Sequence, residues 1–165
     1  MPETGVPIDD PEARRGLYTR VGQAISFWAS METRLVTIAA LLLGTSEQKA
    51  GLLMYSIMNF NVWLIIIDEL FSMEPRYQHH KATWTAQSDE LRGMNDTRVR
   101  LAHHTVWEHT DDQLIALRPG KHDSRMKSRK HKPLTETEIL AFSTQVFEVE
   151  KALLSLSKAM RDTPH

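Results

Sequence analysis

Apolar residues recur at steps of three and four along most of the chain. Leu17, Val21, Ala24, Trp28, Met31, Leu35, Ile38 and Leu42 follow this spacing, which puts them on one face of a helix. Asp10 as N-cap, Pro11 in the first helical position and Glu12 in the first turn start that helix, which the pattern carries to about Leu43. Gly16 and Gly22 weaken its first turns. Gly44 reads as a C-terminal cap, and Thr45 to Gln48, "TSEQ", as a capping box opening a second helix to about Met73. Leu52, Leu53, Ile57, Met58, Val62, Leu64, Ile65, Ile66 and Leu70 surround this helix rather than striping it, as expected of the most central element of a bundle.

Pro75 ends that run, and a third helix is expected from about Arg76 to His104. Its seam is Tyr77, Trp84, Leu91, Met94 and Leu101, and Arg98 stands on it where a leucine would be expected. A guanidinium there costs several kcal/mol unless it is paired or wet. After His104 the period changes to the β-branched and aromatic "TVWEHTDDQLIALRPG", predicting a hairpin with strands near Thr105 to His109 and Gln113 to Arg118. "TETE", Thr135 to Glu138, is another capping box, and the helix it opens has a seam of Ile139, Phe142, Val146, Val149, Leu153, Leu156 and Met160.

The sum is a mainly all-α fold, a four-helix up-and-down bundle with a short β-hairpin between the third and fourth helices. Residues 1–10 read as a flexible arm and 11–161 as one domain, with the hairpin at about 105–118, a basic loop at 118–132 and a tail at 162–165.

Composition narrows the chemistry. With no cysteine among 165 residues, disulfides, thiolate metal sites and a cysteine nucleophile are excluded, and a cytoplasmic location is expected. The N-terminus is acidic where a signal peptide is basic, and the richest apolar run, Val62 to Phe71, is broken by Asp68 and Glu69, so no membrane association is expected. The eight histidines include the adjacent pairs His79–His80 and His103–His104, whose members should point apart on a helix; no metal site and no cofactor are expected. The net charge of −1 hides an asymmetry, because Arg118 to Lys132 holds seven Lys/Arg against one Asp.

The cluster that invites a functional reading is "RVRLAHH", Arg98 to His104. Arg98 and His103 are separated by four residues near the end of the third helix, and "RVRLAH" resembles the "RNxLAH" motif of HEPN domains, with Val99 where that motif has a polar residue. The resemblance implies a homodimer of helical protomers whose arginine and histidine line a shared cleft that cleaves RNA without metal. Arg98 and His103 would then be the catalytic pair, and a cognate antitoxin or regulatory protein a further partner. The chemistry suits these side chains, since an imidazole titrating near neutrality exchanges protons with a ribose hydroxyl or a leaving oxygen, while a guanidinium steadies charge on phosphate.

Residues five apart on a regular helix lie about 140° apart around its axis, whereas Arg100 and His103, three apart, are neighbours. Either the helix loosens before His103 or Arg100 is the working partner. Glu32, one turn after Trp28, and His104 are further candidates for supporting the pair, and Trp107 for stacking a base. Arg118, Lys121, Arg125, Lys127, Arg129, Lys130 and Lys132 would attract an RNA backbone. The competing reading is a non-catalytic interaction module in which Arg98 and His103 form a polar network at the end of the helix.

Overall fold

The computed structural model describes residues 11–109, 114–119 and 134–164. The chain is mainly α-helical, a helical bundle carrying a small sheet. The helices are α1 (Pro11–Leu42), α2 (Glu47–Tyr55), α3 (Phe60–Met73), α4 (Lys81–His103) and α5 (Glu136–Arg161), with a 3-10 turn at Pro75–His80. Strands β1 (His104–His109), β2 (Leu114–Pro119) and β3 (Leu134–Thr135) form an antiparallel sheet in that order. The expected hairpin is present, in the register His104↔Pro119 to His109↔Leu114. The third strand, pairing Leu117 with Leu134, was not expected, because two residues carry too little pattern to be read as a strand.

The chain forms two compact units, Met1–Trp28 with Asp96–Gln145, and Ala29–Asn95 with Val146–His165. In the first, Leu17, Ala24 and Trp28 of α1 are buried together with Leu101, Leu117, Leu134, Ile139 and Phe142. The rings of Trp28 and Phe142 stack there at 5.9 Å. In the second, α1 is the most enclosed element, with every residue from Leu35 to Ala40 buried. α3 buries Phe60, Trp63, Leu64, Ile67 and Phe71, α4 buries Trp84, Ser88, Leu91 and Met94, and α5 contributes Val146, Val149, Leu153, Leu156 and Met160.

Local chemistry sets the element ends. α1 closes at Gly44, whose φ of 59° is the left-handed conformation that glycine adopts without cost. The Gly44 amide donates to the Leu41 carbonyl and the Thr45 amide to that of Ala40, the paired bonds of a Schellman cap. With its amide so used, Thr45 does not open α2. Ser46 does, accepting from the Lys49 amide at 3.4 Å. α5 opens on the expected capping box, with Thr135 Oγ1 accepting from the Glu138 amide at 3.2 Å and Glu138 Oε2 accepting from the Thr135 amide at 2.7 Å.

Two expectations about the second and third helices are corrected. The single helix over 45–73 is two, broken after Tyr55 and restarted at Asn59, whose side chain accepts from the Asn61 amide at 3.0 Å. The Ile57 carbonyl released by the break accepts from Trp63 Nε1 at 2.9 Å, so an indole stabilises the interruption. Nor is this region the central one. α2 buries only Ala50 and Met54, leaving Leu52, Leu53 and Tyr55 exposed, and Met58 in the break that follows is exposed too. The third helix begins at Lys81 rather than Arg76. The preceding 3-10 turn has Glu74 as its cap and Pro75 in its first position, and the Gln78 side chain donates to the Phe71 carbonyl at 2.7 Å.

Among the described residues, one helical segment, Arg15–Leu42, is long and apolar enough by length and composition to cross a membrane. Much of that apolar surface is covered in the structure, at Ala24, Trp28, Met31, Leu35 and Ile38, as in the core helix of a water-exposed bundle.

Candidate functional site

α4 remains an α-helix through His103. The helix does not loosen, so Arg98 and His103 diverge by about 140° around its axis, while Asp96, Arg100 and His103 share one face. Arg98 lies on the seam side with Met94 and Leu101, and it is half-buried where those two are buried. His103 is exposed.

Arg100 is half-buried as well, with its side chain 14% exposed. Its Nη1 lies 4.0 Å from Asp96 Oδ2 one turn earlier, a long ion pair. Arg100 and His103 also occupy the last turn of α4, where positive charge is favoured by the free carbonyls of the helix end. The sequence therefore brings two basic residues to the last turn of α4, and the pair that shares a face is Arg100–His103. His104 leaves the helix and begins β1 opposite Pro119.

The remaining predicted residues divide by position. Glu32 is half-buried on α1 and belongs to the other compact unit. Arg118 falls in β2 and Trp107 in β1, with their side chains outside the described part of the structure, and Lys121, Arg125, Lys127, Arg129, Lys130 and Lys132 lie outside the described residues. Among the described residues, no three His, Asp or Glu side chains gather so as to hold a metal ion.

Polar groups that the sequence did not single out form connected sets elsewhere. Asp68 accepts from the indole of the fully buried Trp84 and from Arg92 Nη2 at 2.6 Å. Glu150 accepts from Ser30 Oγ at 2.7 Å and from Arg34 Nε at 3.4 Å. Partners separated by up to 120 positions leave no local signal in the chain, although Asp68 stood out as the charge interrupting an apolar run. Comparison of the chain with known protein families, with curated proteins and with solved structures gives no match.

Proposed function

We propose that this is a HEPN-like RNA-binding protein, a metal-independent endoribonuclease of the toxin or defence type that works in the cytoplasm as a homodimer. The observation that carries the reading is the end of α4, where an exposed His103 follows Arg100 by one turn on the same helix face. In this reading His103 moves the proton, as base toward a ribose 2′-hydroxyl or as acid toward the leaving oxygen, and the second subunit supplies the complementary role. Arg100 holds the scissile phosphate from the same face, while Arg98, turned toward the seam, positions the helix end. The basic segment from Arg118 to Lys132 holds the flanking backbone, and a cognate antitoxin or regulatory protein would act by covering the end of α4.

Cleavage of mixed RNA in EDTA by wild type, His103→Ala, Arg100→Ala and Arg98→Ala tests this. We expect His103→Ala to lose at least about 100-fold, the scale of an acid–base catalyst, and Arg100→Ala to lose more than Arg98→Ala. Equal activity in all four overturns the catalytic reading, and a stable monomer at micromolar concentration overturns the shared cleft.

A second reading, a non-catalytic helical dimer, is favoured by the exposed apolar side chains Leu52, Leu53, Tyr55 and Met58 at the end of α2. Surface of this kind on a short helix is costly to leave in water, and a second copy of the chain would cover it. Under this reading Leu52→Glu with Met58→Glu halves the solution mass, and no preparation cleaves RNA.

A further inference from the structure

The turn that follows α5 is tied to the 3-10 turn by two side chains that converge on one residue. Arg76 Nη2 donates to the Thr163 carbonyl at 2.6 Å. His80 Nε2 lies 3.2 Å from Thr163 Oγ1, and its ring also hydrogen-bonds the Ala159 carbonyl. Thr163 Oγ1 donates to that same carbonyl at 3.0 Å. The Asp162 and Thr163 amides donate to the carbonyls of Lys158 and Met160, so the docked turn completes the end of the helix.

The docking side is crowded with groups that are, or become, cationic. His79 and His80 do not point apart, as adjacent residues of an α-helix would; their ring centroids are 3.9 Å apart. Arg76 lies over the Tyr77 ring at 5.0 Å, with its Nε buried and without a hydrogen-bond partner among the described residues. The other charged groups on the adjoining turns, on α3 and at the end of α5 are Asp68, Glu69, Glu74, Lys81, Lys158, Arg161 and Asp162. Of these, Glu74 receives the Arg76 amide, Lys81 donates to Ser72 and Arg161 pairs with Glu47. The Ala159 carbonyl of α5 is what favours a charged imidazole on His80, against burial and the second imidazole.

We propose that the contact of Arg76 and His80 with Thr163 is a proton-sensitive latch on the turn that follows α5, closed while both imidazoles are neutral and opening as the pair takes up a proton. A proton on His80 places a cation in ring contact with His79 and near the Arg76 guanidinium, a repulsion that undocking the turn relieves. Burial, and then His79, hold the His80 pKa below the ordinary histidine value, opposed by the bond to the Ala159 carbonyl. The docked state therefore binds the proton less readily than the undocked one. Docking is at full strength above the ordinary value of 6.5 and weakens as the pH falls below it toward the docked value.

The test is NMR on the intact protein across about pH 8 to 5, spanning ordinary histidine titration. It follows the Thr163 methyl shift, the exchange of the Asp162 and Thr163 amides corrected for chemical rate, and both imidazole titrations. In wild type the protection of those amides falls several-fold on acidification while α5 core amides stay constant, and His80 titrates below 6.5. His79→Gln, which leaves every contact to Thr163 in place, shows a smaller fall, and His80→Gln shows none. Protection independent of pH in wild type, an equal fall in His80→Gln, or a His80 midpoint at or above the ordinary value overturns the latch.

Discussion

Asp68 lies within the most apolar stretch of the chain, and its carboxylate meets the indole of a fully buried tryptophan, Trp84. Trp84 also stacks on Phe71 with ring centroids 5.8 Å apart, so its ring cannot turn to find another acceptor without giving up that packing. Asp68→Ala is therefore expected to cost about 1–3 kcal/mol, the penalty of a buried donor left unsatisfied. Arg92→Ala, which removes a partly exposed ion pair from the same carboxylate, should cost less than about 1 kcal/mol. Urea unfolding of both variants makes the comparison, and equal losses would mean that the ion pair, not the indole, is what Asp68 serves. Ser88 presents the reverse case. It is fully buried on α4, and its hydroxyl has no hydrogen-bond partner among the described residues. Ser88→Ala should raise stability by up to about 1 kcal/mol in the same measurement, since it removes a desolvated polar group without opening a large cavity.

At the scale of elements, the capping signals did most of the work that a sequence can do. Gly44 and Thr135 with Glu138 each act within a few residues of themselves, and the structure uses both, whereas α2 is capped by Ser46 rather than Thr45. Thr135→Ala removes the two bonds of the Thr135 hydroxyl with Glu138 while keeping the one its amide donates, and it is expected to lower stability by about 1 kcal/mol, with the loss of amide protection concentrated in the first turn of α5. A uniform loss along α5 would show that the capping box does not act locally. The seam of α5 was legible in full, because Ile139 through Met160 are all buried at the expected spacing. The break between α2 and α3 was not. No glycine or proline marks it, and it depends on Asn59 as a cap and on Trp63 reaching back to Ile57. The regularity of α4 through His103 was a similar matter: the motif named Arg98, but an unbroken helix gives His103 Arg100 as its neighbour.

For the whole molecule, the proposed role rests on charge as much as on the α4 terminus. Seven Lys/Arg between Arg118 and Lys132 in a chain of net charge −1 make RNA affinity a salt-dependent quantity. If all seven neutralise phosphates of a single strand, log K should fall against log salt with a slope of about −5. Fluorescence anisotropy over a salt series measures it, and a slope near zero would remove the basic segment from the RNA-binding proposal. By itself the sequence determined where α1 ends and α5 begins, which residues face inward along α5 and most of α1, and that basic residues stand in the last turn of α4. These follow from spacing and capping, which act over a few residues. Only the tertiary structure decided which apolar faces are covered, enclosing α1 from Leu35 to Ala40 while leaving Leu52, Leu53 and Met58 of the apolar α2 region in water. It likewise decided that Glu150 would meet Arg34 across 116 positions, and Thr163 would meet Arg76 across 87. Burial and long-range pairing depend on what lies opposite a face, and the chain supplies that from residues far away along its length.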